Sequence, residues 1–219
     1  MPQLPNIDFE KSLIPPSTRY LLGIDEVGRG PLAGPVTIGA FLLDLSTFDP
    51  AIFQKLKIRD SKMLTAAQRQ KIVNFFVSNN YNFKTFSASS FEIDQKGIAV
   101  CIYDLISSAL NHYHTKFDFC LIDGNYNLSR HCEESAAAGD VATSKCLSVI
   151  QGDAKCFSIA AASIVAKVDR DTQMDKFDLQ YSKYGFAAHK GYGTHLHLES
   201  IKKHGPCAIH RMSFKPFAK

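Results

Sequence analysis

The sequence predicts an α/β fold: a mixed central β-sheet flanked by helices, with a small helical segment at the C-terminal end. Three observations carry this reading. Two apolar runs (residues 20–24 and 36–43, the second rich in β-branched residues) come first and are joined by a connection rich in Gly and Pro, as in a hairpin-like pair. Later apolar runs (117–122 and 147–150) alternate with stretches of helical periodicity. That order, strands first and then strands between helices, is the pattern of a sheet with helices packed on it.

Each element has its own justification. Residues 1–18, with Pro2, Pro5, Pro15 and Pro16, read as an irregular arm. Thr65 is an expected N-cap for a helix to about residue 77, with Ile72, Phe75 and Phe76 on one face. Residues 82–88 alternate like a strand. Ile98, Cys101, Ile102, Leu105 and Ala109 give residues 93–111 helical spacing. The run 117–122 ends at Asp123-Gly124, and 147–150 ends at Gly152-Asp153. A long helix is expected over 158–181, Ala-rich at its start and packed closely on the sheet. A short one follows over 194–204, stopped by Gly205-Pro206. Residues 125–145 are polar and read as a loop. With 219 residues, one domain over 19–219 is expected, its C-terminal helical part starting near residue 180.

Bulk properties exclude some classes. No apolar run approaches the ~20 residues of a membrane span. The first 19 residues lack the basic start and apolar stretch of a signal peptide, so a cytoplasmic protein is expected. Its six cysteines (101, 120, 132, 146, 156 and 207) form no C-x-x-C pair and are expected as free, mostly buried thiols. Net charge is +4, with Lys183, Lys190, Lys202, Lys203, Arg211, Lys215 and Lys219 crowding the C-terminal stretch. A solvated basic face and a surface for a polyanion both fit that distribution.

The chemistry-bearing pattern is acidic. Asp25 and Glu26, Asp123 and Asp153 each follow an apolar strand. Separate strands bring distant residues together at their ends, so a convergent carboxylate cluster is expected. Like charges a few ångströms apart repel, and a divalent cation relieves this. Oxygen ligands without His or Cys select Mg²⁺ or Mn²⁺ over zinc. Four carboxylates can hold two such ions, which assist the attacking water and the leaving oxygen of a phosphodiester displacement. Gly28-Arg29-Gly30 follows the first pair at once. Its backbone N–H groups and the Arg29 fork suit a phosphate or hydroxyl.

At this point the sequence resembles the bacterial ribonuclease HII family (type 2 ribonuclease H). GIDEVGRGPLAGPV (23–36), DSKML (60–64), LIDGN (121–125), GDAK (152–155), SIAAASIVAKVDRD (158–171), YGFAAHKGYGT (184–194) and HRMSF (210–214) match its motifs in order, over about residues 20–217. The resemblance implies a ribonuclease H-like fold and a catalytic, metal-holding set of Asp25, Glu26, Asp123 and Asp153. It implies hydrolysis of the RNA strand of RNA–DNA hybrids and nicking 5′ of ribonucleotides embedded in duplex DNA. The products would carry 5′-phosphate and 3′-hydroxyl ends. Gly28, Arg29 and Gly30 would meet the 2′-hydroxyl and its phosphate, and Tyr192 would stack on the adjoining deoxyribose. Phosphate positioning would fall to Ser61 and Lys62, with Lys167 and Lys190 as weaker candidates. For each lysine a solvated surface role is equally compatible.

Neither a membrane nor an obligate protein partner is expected, and a monomer is. The histidines, His195 and His197 included, show no ligand spacing, though His189 lies inside the HKGYGT block. The match departs in three places: 125–145 reads as an insertion, GDAK stands where GDSK is commoner, and Met212 stands where a second Arg is frequent. Two rivals remain at this stage. Type 3 ribonuclease H shares fold and metal chemistry, and a non-catalytic nucleic-acid-binding protein would carry a relic site.

Overall fold

A computed structural model describes residues 4–126 and 145–218, so most of the expected 125–145 loop, with His131 and Cys132, lies outside the described residues. Strand β1 (Tyr20–Val27) pairs antiparallel with β2 (Val36–Asp44), in register from Tyr20 opposite Asp44 to Val27 opposite Thr37. This is the pair that the two apolar runs predict. β3 (Asn82–Ala88) pairs antiparallel with β2. β4 (Phe119–Asp123) and β5 (Cys146–Val149) add in parallel on the other side. The sheet order is β3-β2-β1-β4-β5, a mixed sheet as expected.

Successive side chains of a strand point to opposite faces, and the two cores follow from that. Leu21 of β1 joins Phe41, Ile72, Phe76 and Phe157 on one face. Leu22 and Ile24 join Ile38, Ile102 and Leu105 on the other. The first face is covered by α3 (Ala66–Ser78) and by a 24-residue helix over Phe157–Gln180; the second by α5 (Ile98–Tyr113). The 24-residue helix lies almost on the sheet backbone. A Cβ at Gly23 would fall 2.2 Å from the Ser158 carbonyl carbon, and one at Gly39 would fall 2.1 Å from the Ala162 oxygen. Ala160, Ala161 and Ala162 are fully buried there, which is the close packing expected of the Ala-rich start.

Four expectations are corrected. The arm is not irregular throughout, because residues Ile7–Ser12 form helix α1. Its Glu10 is fully buried and accepts the N–H groups of Phe157 and Ser158, each at 3.0 Å, and the Ser158 hydroxyl. A carboxylate at a helix N-terminus satisfies donors that have no partner inside the helix. The stretch 93–111 is two helices, α4 (Ser90–Lys96) and α5, broken at Gly97 with φ 85°. Asp25 and Glu26 lie within β1 rather than after it. Asp153 sits in the short helix α6 (Gly152–Lys155), one turn past β5. α2 (Pro50–Lys55) precedes α3, and the 24-residue helix is α7.

The C-terminal part is helical as expected, with α8 (Phe186–His189) and α9 (His195–His204). It packs through Tyr184, Phe186 and Ile209 onto Met174 of α7 and Ala33. The β1–β2 connection is thereby held between the sheet and this segment. No described helix is long and apolar enough to cross a membrane. Cys101, Cys120 and Cys156 are buried free thiols, and Cys146 and Cys207 are half-buried.

Candidate active site: an acidic cluster beside a braced loop

The parallel pairing of β1 and β4 sets Ile24 opposite Ile122, which brings Asp25 level with Asp123. Ligand oxygens of Asp25, Glu26 and Asp123 all lie within 4.8 Å of one another. Asp153 stands next to them without joining that triplet, its carboxylate 3.5 Å from the Lys62 ammonium. The α6 turn is tied to the cluster, since Gly152 N–H donates to Asp123 Oδ1 at 2.6 Å.

Electrostatics follow from the crowding. Burial first, then Asp123 and Glu26, pushes Asp25 well above the usual carboxylate range. Burial and Asp123 also raise Glu26 and Asp153. Against this stand Arg29, 3.9 Å from Glu26, and Lys62. Burial lowers Lys62, but Asp153, Asp60 and Asp25 outweigh it and raise the group. The donor set is all oxygen and has surplus negative charge, which fits a hard divalent cation.

Two side chains that sequence reasoning missed hold these carboxylates. The Tyr126 hydroxyl hydrogen-bonds Glu26, and the Ser163 hydroxyl, on α7, hydrogen-bonds Asp25. Ser163 lies 2.9 Å from the Ser61 hydroxyl. Ser61, expected as a phosphate contact, is 2% exposed, with its hydroxyl against that of Ser163. Lys167 and Lys190 are also engaged, in ion pairs with Asp171 and Asp175 respectively. Lys62 keeps an exposed side chain beside Asp153.

The loop after β1 is the second half of the site. Arg29 and Gly30 are exposed, and their N–H groups donate to no protein acceptor among the described residues. Leu32 N–H donates to Gly191 O at 2.8 Å, fastening this loop to the turn that carries Tyr192, itself 44% exposed. That turn rests on histidines to which the sequence assigns no ligand role. Cys207 N–H donates to His210 Nδ1 at 2.8 Å, which leaves His210 Nε2 to donate to His197 Nε2 at 3.1 Å. His197 Nδ1 then donates to the Tyr192 carbonyl at 2.9 Å. His189 stacks on His197 with ring centroids 4.3 Å apart. No ligand-spacing rule reveals this chain, because its central link joins His197 and His210, 13 residues apart.

Comparison with known proteins agrees with this geometry. The family model described as Ribonuclease HII matches residues 22–217. The chain belongs to the ribonuclease HII family. Among curated relatives, Ribonuclease HII of Syntrophobacter fumaroxidans is 38% identical over 208 residues, covering 95% of this chain and 82% of the relative. Ribonuclease HII of Rhizobium meliloti is 36% identical, covering 98% and 91%. The ribonuclease H2 structure from Pyrococcus horikoshii OT3 superposes with a TM-score of 0.74 at 25% identity, covering 90% of this chain and 95% of that one. A Bst-RNase HIII solved in complex with Mn²⁺ shares the fold, with TM-score 0.68 at 15% identity, covering 90% and 68%. Membership makes the chain a ribonuclease H: an endoribonuclease that hydrolyses RNA in RNA–DNA hybrids.

Proposed function

We propose that this ribonuclease also nicks 5′ of single ribonucleotides embedded in duplex DNA, assisted by two Mg²⁺ or Mn²⁺ ions and leaving 5′-phosphate and 3′-hydroxyl ends. The observation that carries the reading is the adjacency of an oxygen-only cluster, three ligand atoms within 4.8 Å, to exposed and unpartnered backbone donors on the same strand's continuation. Asp25, Glu26, Asp123 and Asp153 would hold the ions. Bound there, divalent ions supply an acidified water and charge relief for the leaving 3′-oxygen.

The chain's own groups do the rest. Ser163 and Tyr126 orient Asp25 and Glu26, so that ligand oxygens are fixed before substrate arrives. The N–H groups of Arg29 and Gly30 meet the 2′-hydroxyl and its phosphate, the local mark of RNA. Tyr192 offers a ring face to the sugar that lacks this hydroxyl. Lys62 adds a sequence-neutral phosphate contact.

The test uses three duplexes of one sequence: one carrying a single ribonucleotide, one a full RNA–DNA hybrid and one pure DNA. Each is incubated with Mg²⁺, Mn²⁺ or EDTA. Nicking 5′ of the lone ribonucleotide, absent on DNA and in EDTA, is the expected result. Cleavage of the hybrid alone would favour type 3 behaviour and overturn the proposal.

A further inference from the structure

Among the described residues two arginines are fully buried, and neither pairs with a carboxylate there. Arg170, on α7, donates from Nε to Pro35 O (2.9 Å), from Nη1 to Lys190 O (3.1 Å) and from Nη2 to Ala33 O (3.3 Å). Arg211 donates from Nε to Gly34 O (3.0 Å) and from Nη1 to Arg29 O (3.0 Å). Its Nη2 reaches both Gly28 O (2.6 Å) and Pro35 O (3.0 Å). Every acceptor is a backbone carbonyl, and all but Lys190 O lie in residues 28–35.

Burying two like charges side by side is costly, and neutral donors could satisfy the same carbonyls. Burial, then Arg170, pushes Arg211 down to about 9, which still leaves it cationic at neutral pH. The geometry shows where that charge acts. A trans peptide sets its N–H opposite its C=O. Arg211 takes the carbonyls of Gly28 and Arg29, so the N–H groups of Arg29 and Gly30 point away from it, on the exposed side of the loop. A cation on the carbonyl end polarises each amide and strengthens its N–H as a donor. The loop backbone also lies directly on the second guanidinium: a Cβ at Gly28 would fall 2.2 Å from Arg170 Nε.

We propose that Arg211, backed by Arg170, is the positioning residue for ribose selectivity: its buried fork aims and polarises the Arg29 and Gly30 amides toward the 2′-hydroxyl and phosphate of a ribonucleotide. This rests on the reading above that residues 28–30 sense the ribose.

The experiment measures kcat and KM on the single-ribonucleotide duplex, and Ki for the all-DNA duplex as competitor. The ratio of Ki to KM is the ribose preference. Arg211→Lys keeps a charge but cannot span two carbonyls with one planar fork. The variant is expected to raise KM about tenfold, with Ki within twofold of the parent. An unchanged ratio, or KM and Ki worsening together, would overturn the inference. Gly30→Ala separates the two layers: its Cβ would meet no protein atom within 4 Å, so the fold tolerates it, while the added methyl crowds the open side of the loop where the ribose is read. If Gly30→Ala leaves the ratio intact, the ribose-sensing reading of 28–30 fails and this inference with it. If Gly30→Ala lowers the ratio and Arg211→Lys does not, this inference alone fails. Should Arg211→Lys lack a cooperative melting transition, Arg170→Lys gives the same readout: a smaller fall in the ratio supports the assignment, and no fall overturns it.

Discussion

Replacing Asp25 by Asn should stabilise the metal-free protein while abolishing catalysis. Asp25 is 5% exposed and its ligand oxygen lies within 4.8 Å of those of Glu26 and Asp123. Two unit charges at that distance repel by about 3 kcal/mol at an effective dielectric constant near 20. Arg29 and Lys62 offset part of this through Glu26 and Asp153. A net relief of about 2 kcal/mol is therefore expected, or roughly 4–8 °C in Tm for a chain of this length. Asn keeps an oxygen for the Glu26 N–H, which donates to Asp25 Oδ1 at 2.8 Å, and its amide can donate to the Ser163 hydroxyl, which also accepts, so local hydrogen bonding is retained. Mn²⁺ reverses the order. At about 100 times its dissociation constant a bound ion adds roughly 2.7 kcal/mol to the parent, and the Asn variant gains much less. Differential scanning calorimetry in EDTA and in Mn²⁺ measures both effects, and nicking assays give the activity. A variant that melts below the parent in EDTA would show that repulsion is not what Asp25 contributes to the apo state. An identical Mn²⁺ response in both proteins would remove Asp25 from the ion site.

The His197–His210 chain makes the C-terminal segment acid-sensitive. Burial holds His197 down to about 4 and lowers His210, whereas an unfolded histidine titrates near 6.5. Between these values the unfolded chain binds more protons, so stability is full above about pH 6.5 and is lost as pH falls toward 4. The loss for His197 is about 3 kcal/mol at most, and His197→Asn should flatten the Tm-against-pH curve between pH 5 and 7. A curve as steep as the parent's would rule this out. Glu10→Ala should lower Tm by roughly 4–24 °C, since it strands two buried N–H groups at the start of α7 at about 1–3 kcal/mol each. Thermal unfolding by circular dichroism checks it, and an unchanged Tm would show that water replaces the carboxylate without cost.

Much of the sheet was legible because its rules are local. Alternation gives β3 to the residue, and apolar runs give β1, β2 and β4 within a few positions. Gly97 was misread because the apolar spacing on either side is in phase, so periodicity runs through a break that only a positive φ reveals. Glu10 was lost for a different reason. An acid in a Pro-rich arm looks solvated until its partner, 147 residues away, is known. At the site, Asp25, Glu26 and Asp123 were visible because each terminates or nearly terminates an apolar strand, and strand ends converge. Ser163 was not, because a serine in an Ala-rich helix is indistinguishable from packing. Arg170 and Arg211 were hidden more deeply. Composition treats an arginine as surface charge, and nothing in a one-dimensional pattern marks one whose partners are all backbone carbonyls.

If the proposed roles hold, recognition and cutting would share one strand. β1 carries the carboxylates at residues 25 and 26 and passes directly into the loop whose carbonyls Arg211 holds at 28 and 29. The carboxylates and the amides of Arg29 and Gly30 are therefore only a few residues apart along the chain, across a bend at Gly28 with φ 95°. A divalent ion at the carboxylates and a ribose at the amides would engage adjacent positions of the same backbone. β1 is laddered to β4 as far as Ile24 and to β2 as far as Val27, so the loop that follows starts from a fixed strand end. On the proposed reading, a misplaced 2′-hydroxyl would also misplace the scissile phosphate at the carboxylates, so discrimination would register in catalytic rate as well as in binding.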